Sequence, residues 1–219
     1  MTDRLWIAAK APREGLAKTR LAAEVGGPAA LALYRGFLAD LAARFSAAGV
    51  PVGWYVTPAD AWTDLGPIVA PAGPPPPVLA QPPGDWTARQ RALFRGAAGR
   101  GERRTVLIAS DSPQLEPRVV EQAFAALDRD DVVVGPTHDG GYYLIGMRGW
   151  HDVLAGVAMS TGAVLEGVLA VARRTGRTVA VLGSTFDVDG REDLAHLAAL
   201  DPARADLAAT RRALTGIPG

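Results

Sequence analysis

The sequence predicts one three-layer α/β/α domain over residues 1–219, built on a mixed, mostly parallel β-sheet. Two observations carry this expectation. Short apolar, β-prone runs alternate with helix-patterned segments through most of the chain, as a parallel sheet covered by helices requires. The runs at 131–136 and 142–147 are too close for a helical crossover, so part of the sheet must be antiparallel.

The elements follow in order. "RLWIAA" (4–9) reads as a buried first strand, followed by the loop "KAPREGLAKTRLA" (10–22). A helix is expected over Pro28–Ala48, because Leu31, Tyr34, Leu38, Leu41 and Phe45 alternate steps of three and four along one face. Pro28 suits its start and Gly49 its end. "VGWYVT" (52–57) is a strand. The proline-rich stretch 71–84 reads as a loop within the domain carrying a short strand at Val78–Ala80; a domain linker and an extended rim over a pocket are the alternatives. Trp86–Ala98 is helical, "TVLIAS" (105–110) is a buried strand, and Pro117–Leu127 is a helix with Pro117 in its first turn. "DVVVGP" and "YYLIGM" are strands. Thr161–Arg174 is a helix that Thr161 would cap, and "TVAVLG" (178–183) is the last strand. "DVDGREDL" (187–194) leads into a final helical pair.

Composition narrows the function. Hydrophobic residues make up 48% and charged residues 21%, a globular balance. Lys+Arg and Asp+Glu each number 23, and this zero formal charge argues against nucleic acid as a partner. Arg95, Arg100, Arg103 and Arg104 read as a solvated connector. With no cysteine there is no disulfide, thiolate metal site or Cys nucleophile. His138, His151 and His196 lack metal-ligand spacing. No signal peptide and no bilayer-length apolar run is evident, so a cytoplasmic protein is expected.

Four polar clusters stand at or beyond strand ends, where ligands bind in open α/β sheets. Gly15-Leu16-Ala17-Lys18-Thr19-Arg20 follows the first strand; its backbone amides and two cations suit a polyphosphate, and equally a solvated loop. Ser110-Asp111-Ser112-Pro113 ends a buried strand: Asp111 is placed either to ligate Mg2+ or Mn2+ or to form a turn. Asp187-Val188-Asp189-Gly190-Arg191-Glu192-Asp193 holds two close carboxylates whose repulsion a divalent ion would remove; Asp189 with Glu192 also fits a helix capping box. At His138-Asp139-Gly140-Gly141, the glycines suggest clearance for a ligand and Asp139 a base or sugar-hydroxyl acceptor, with a plain hairpin as the alternative. Tyr142 and Tyr143 point to opposite faces. There is no G-x-S-x-G elbow. A pair of glycosidase carboxylates would leave the phosphate-like loop without a purpose.

In this order the clusters resemble the DUF2064 family, also called the rSAM/selenodomain-associated transferase 1 family, within the nucleotide-diphospho-sugar transferase superfamily of GT-A fold. The carriers are "KAPREGLAKTRL" (10–21), "GDWTARQ" (84–90), "SDSP" (110–113), "GPTHDGGYYLIGM" (135–147), "ST" (160–161) and "DVDGREDL" (187–194). A more distant likeness is to 2-phospholactate guanylyltransferases and molybdenum-cofactor nucleotidyltransferases. The resemblance implies that Gly15, Lys18 and Arg20 meet the donor phosphates. It implies that Arg89 lies near the nucleotide, that Asp111, Asp187 and Asp189 bind Mg2+ or Mn2+, and that Asp139 faces the acceptor. Trp86-Thr87 stands where Leu-Gly is usual, Met159 where a tryptophan is common, and Gly190 where a threonine is common. The expected activity is glycosyl transfer from a nucleotide sugar to a small-molecule acceptor. Nucleotidyl transfer from an NTP and a non-catalytic nucleotide-binding module are the alternatives. A homodimer is compatible with the sequence.

Overall fold

A computed structural model describes residues 2–71, 75–159 and 161–217. Residues 72–74 of the proline-rich stretch and Ser160 of the Ser-Thr motif lie outside the described residues. The strands are β1 Thr2–Lys10, β2 Val52–Thr57, β3 Val78–Ala80, β4 Glu102–Ala109, β5 Val132–Pro136, β6 Tyr142–Arg148 and β7 Val179–Val181. They form a sheet in the order β3-β2-β1-β4-β6-β5-β7. β2 runs parallel to β3 and β5 parallel to β7, while β6 is antiparallel to both β4 and β5. The antiparallel strand is the expected one, because residues 137–141 are too few for a crossover. The expected α/β fold with a mixed, mostly parallel sheet is the one observed.

The chain divides into two compact units. The first comprises Met1–Ile7, Gln81–Ala109 and Pro117–Phe186. Its helices are α4 Trp86–Gly99, α5 Pro117–Ala126 and α6 Val164–Arg174. The Asp85 side chain caps α4 by accepting from the Ala88 amide at 2.7 Å. Gln90, Leu93, Phe94 and Ala97 then share the buried face of that helix. α6 begins at Val164, later than expected. Thr161 does not cap it; the Thr161 hydroxyl donates to the Ala158 carbonyl instead.

The second unit comprises Ala8–Ala80, Ser110–Glu116 and Asp187–Gly219. It contains α1 Thr19–Val25, α2 Gly27–Ala47, α3 Trp62–Val69, α7 Asp193–Ala198, a 3-10 turn at Ala205–Leu207 and α8 Ala208–Leu214. α2 is the predicted long helix, and it buries Tyr34, Leu38, Leu41 and Phe45 together with Leu33 and Phe37. α8 packs closely on it: a Cβ on Gly36 would lie 2.9 Å from the Ala209 carbonyl oxygen. Asp40 of α2 accepts from the Ala209 and Thr210 amides at 3.0 and 2.8 Å, so it satisfies the first donors of α8. α1 and α3 were not expected. Both are short, and α3 carries Pro67 inside it, so neither has a sustained apolar period to read.

Candidate active site

The second unit gathers most of the polar residues singled out above, at the carboxyl ends of β1 and β4 and in the segment after β7. Tyr34 of α2 ties the two strand ends together. Its phenol oxygen accepts from the Lys10 amide at 3.0 Å and lies 3.0 Å from the Ser110 hydroxyl. Burial raises the Tyr34 phenol above its ordinary pKa, with the Asp111 charge adding to the effect. The Ser110 amide donates to the Ala8 carbonyl, and the Val188 amide to the Asp111 carbonyl at 2.9 Å, so the backbone positions Asp111 beside residues 187–189.

Lys18 enters this cluster from the loop after β1. It has φ 52° and ψ 40°, the left-handed conformation, and is the sole non-glycine residue with positive φ among those described. A side chain at such a backbone costs about 1 kcal/mol. The Lys18 ammonium forms an ion pair with Asp111. It also donates to the Val188 carbonyl oxygen at 2.6 Å and lies 3.8 Å from Asp189 Oδ1. It sits 5.6 Å from the centre of the Phe37 ring. The Lys18 side chain is 3% exposed and that of Arg20 is 80% exposed, with Arg20 Nη1 3.5 Å from Asp189 Oδ2. Two cations with a single residue between them thus have opposite environments.

Asp187 is half-buried and accepts from the Ser112 hydroxyl. Burial pushes its carboxyl up to about 6; the Ser112 hydrogen bond and Lys18 oppose the shift, while the Asp111 and Asp189 charges add to it. The capping reading of Asp189 does not hold. Asp193 accepts the amides of Asp189 and Gly190, both at 2.8 Å, and leaves the Asp189 carboxylate facing Lys18 and Arg20.

No group of three His, Cys, Asp or Glu side chains is arranged to hold a metal ion among the described residues. The donor chemistry nevertheless suits a hard divalent cation. Asp111 and the half-buried Asp187 repel one another, and Mg2+-type ions are commonly held by one or two carboxylates together with substrate phosphates and water.

Asp139 and Arg89 lie in the first unit. Asp139 Oδ1 accepts from the Thr137 hydroxyl and from the Gly141 amide, so the carboxylate braces its own turn. The glycines beside it serve the protein rather than clearance for a ligand. Gly140 has φ 85°, and a Cβ there would lie 2.0 Å from the Gly162 carbonyl oxygen. A Cβ on Gly141 would lie 2.9 Å from the Thr137 hydroxyl. The tyrosines do face opposite ways: Tyr142 donates to Gln90 Oε1 at 2.9 Å, and Tyr143 to the Gly183 carbonyl at 3.0 Å. Arg89 Nη1 donates to Gln81 Oε1 at 3.2 Å. Gly15, at φ 77°, shapes the loop before Lys18.

Ser112 and Tyr34 were not foreseen as site residues. Ser112 lay inside a motif already noted, whereas Tyr34 looked like one more apolar step of a helix stripe.

The family model described as "Uncharacterized protein conserved in bacteria (DUF2064)" matches residues 41–161. The chain belongs to the DUF2064 family. This match spans Arg89, Asp111 and Asp139, while Lys18, Arg20, Asp187 and Asp189 lie outside it. The DUF2064 chain is 27% identical to a "putative nucleotide-diphospho-sugar transferase" from Desulfovibrio desulfuricans G20, with a TM-score of 0.85 over 99% of this chain and 98% of that one. Its fold is also similar to 4-diphosphocytidyl-2C-methyl-D-erythritol synthase from Anaerococcus prevotii DSM 20548, at 12% identity and a TM-score of 0.56, covering 88% and 94% of the two chains. The inositol-1-phosphate CTP transferase from T. maritima gives 15% identity and a TM-score of 0.53, with 100% and 98% covered. No curated protein matches the chain.

Proposed function

We propose that this DUF2064 chain is a single transferase domain that uses a nucleotide-activated donor with a divalent cation, and that it moves a sugar from a nucleotide sugar to a small-molecule acceptor. One observation carries the reading: the basic loop after β1 meets the carboxylates that follow β4 and β7. A departing nucleoside diphosphate gains negative charge as its bond to the donor breaks, and stabilising that charge is commonly the largest catalytic contribution in such a site. Arg20, exposed beside Asp189, is open to that charge. Asp111 and Asp187 would hold the Mg2+ or Mn2+, which when bound would neutralise part of the diphosphate. Asp139 is the proposed base toward the acceptor hydroxyl, and Arg89 the proposed nucleotide contact, both on their family motif positions. The likeness to the Desulfovibrio protein supports the sugar donor; the neighbours below 25% identity support the fold alone. No helix among the described residues is long and apolar enough to cross a membrane.

The test is product analysis with Mn2+ and a panel of nucleotide sugars and NTPs. Release of a nucleoside diphosphate is expected. Release of pyrophosphate would replace this reading with nucleotidyl transfer. Nucleotide binding without either product would reduce the chain to a binding module.

A further inference from the structure

We propose that Lys18 is a built-in counter-ion of the acidic cluster, a positioning residue that competes with a divalent cation for Asp111, and that Arg20 is the member of the pair open to an anionic ligand. The inference rests on the metal-dependent reading above. An ammonium group has three donors. Those of Lys18 meet the Asp111 carboxylate and the Val188 carbonyl, with Asp189 nearby at 3.8 Å. A lysine that gripped phosphate would need open donors and an accessible head; this one is buried against Phe37. Its left-handed backbone leads the side chain inward, while Thr19 and Arg20 begin α1. Three segments distant in sequence, carrying Lys18, Asp111 and Val188-Asp189, are therefore joined at one nitrogen.

The charges do not balance at that nitrogen. Asp111 and Asp189 flank it, Asp187 is a third carboxylate within electrostatic reach, and among the described residues the only cations against them are this buried ammonium and the exposed Arg20 guanidinium beside Asp189. Removing the ammonium leaves the carboxylates to repel one another, and a divalent ion is the natural substitute. Lysine and metal are accordingly alternative partners of the same carboxylate.

The test compares Lys18→Met, Arg20→Met and Lys18→Met/Asp111→Asn with the parent chain, by thermal unfolding, Mn2+ titration and binding of Mn2+-pyrophosphate. In metal-free buffer Lys18→Met is expected to lower Tm by about 5 °C. Mn2+ alone should restore most of that loss and bind about tenfold more tightly than to the parent. The double variant should regain Tm without metal, since the uncompensated charge is gone. Arg20→Met should weaken Mn2+-pyrophosphate about tenfold with Tm unchanged. The inference is overturned if Lys18→Met abolishes pyrophosphate binding at unchanged Tm, or if its Mn2+ affinity does not rise. Should Lys18→Met fail to fold, the double variant decides: if it too is unfolded, Lys18 is not a counter-ion. Failure to release nucleoside diphosphate from any donor defeats the proposed function and leaves these metal and stability readouts standing.

Discussion

Among its described residues the second unit buries two cations, Lys18 and Arg44, and they are paired in different ways. Arg44, with its side chain 4% exposed, forms an ion pair with Asp206 and donates to the carbonyls of Pro113, Leu115 and Asp206 at 2.6, 2.9 and 2.7 Å. Arg204 binds the same carboxylate from the other side. Arg204 also pairs with Glu116 at 3.3 Å, so two cations there face two carboxylates. Lys18 grips the same short segment, at Asp111, yet stands among more carboxylates than it can neutralise. The two cations therefore pin Ser110–Glu116 from two directions. The lesson is that closed charge pairing marks a structural joint, and surplus charge marks a place prepared for a ligand.

The largest expected effect breaks the closed side of this comparison. Arg44→Met should destabilise the chain by about 2–4 kcal/mol, because it leaves the carbonyls of Pro113 and Leu115 without their donor and takes one of two guanidinium partners from Asp206; urea unfolding measures it. A change on the open side should go the other way. Asp187→Asn should raise stability at neutral pH by about 1–2 kcal/mol, since an amide escapes both the burial cost and the repulsion from Asp111. The same change should weaken Mn2+ binding at least about tenfold, so titration separates stability from function. The two effects together would show that the cluster is held together at a cost that function requires.

Acid sharpens the contrast next. The Arg204 hydrogen bond, reinforced by the Arg44 charge, holds the Asp206 carboxyl well below the usual range against the opposing effect of burial. The folded-state pKa is depressed, so the stabilisation is complete above the unfolded value of about 3.9 and is lost as pH falls through the folded one. Urea midpoints should fall on acidification below about pH 4, and Asp206→Asn should flatten that fall. The smallest effect belongs to the exposed cation: Arg20→Met should change stability by less than about 0.5 kcal/mol in the same unfolding assay.

Much of the fold was legible because its signals are local. The run Thr105–Ser110 announced β4, though the strand begins earlier, at Glu102. The α2 stripe from Tyr34 to Phe45 was readable from its period. α1 and α3 were hidden by brevity. The candidate site was legible as polar residue types at strand ends, each open to a bland reading, and the DUF2064 resemblance is what drew Lys18, Asp111, Asp187 and Asp189 together. The tip at Asp139 was misread at its glycines, because the Gly162 backbone that demands Gly140 comes from a segment no local pattern connects to it. The capping alternative for Asp189 failed because its carboxylate turns to Lys18 and Arg20, while the local acceptor for the Asp189 and Gly190 amides is Asp193.

Sequence by itself determined the order of the strands and the longer helices, the antiparallel turn at residues 137–141, and the placement of charged groups just beyond strand ends. These follow from periodicity and loop length, which neighbouring residues specify. Tertiary structure alone decided that Lys18 is buried and Arg20 exposed, although the two are close in sequence and carry the same charge. Burial and electrostatic surroundings are created by segments far away along the chain: here by Asp111, Val188 and Phe37, which close around the Lys18 ammonium and not around the Arg20 guanidinium.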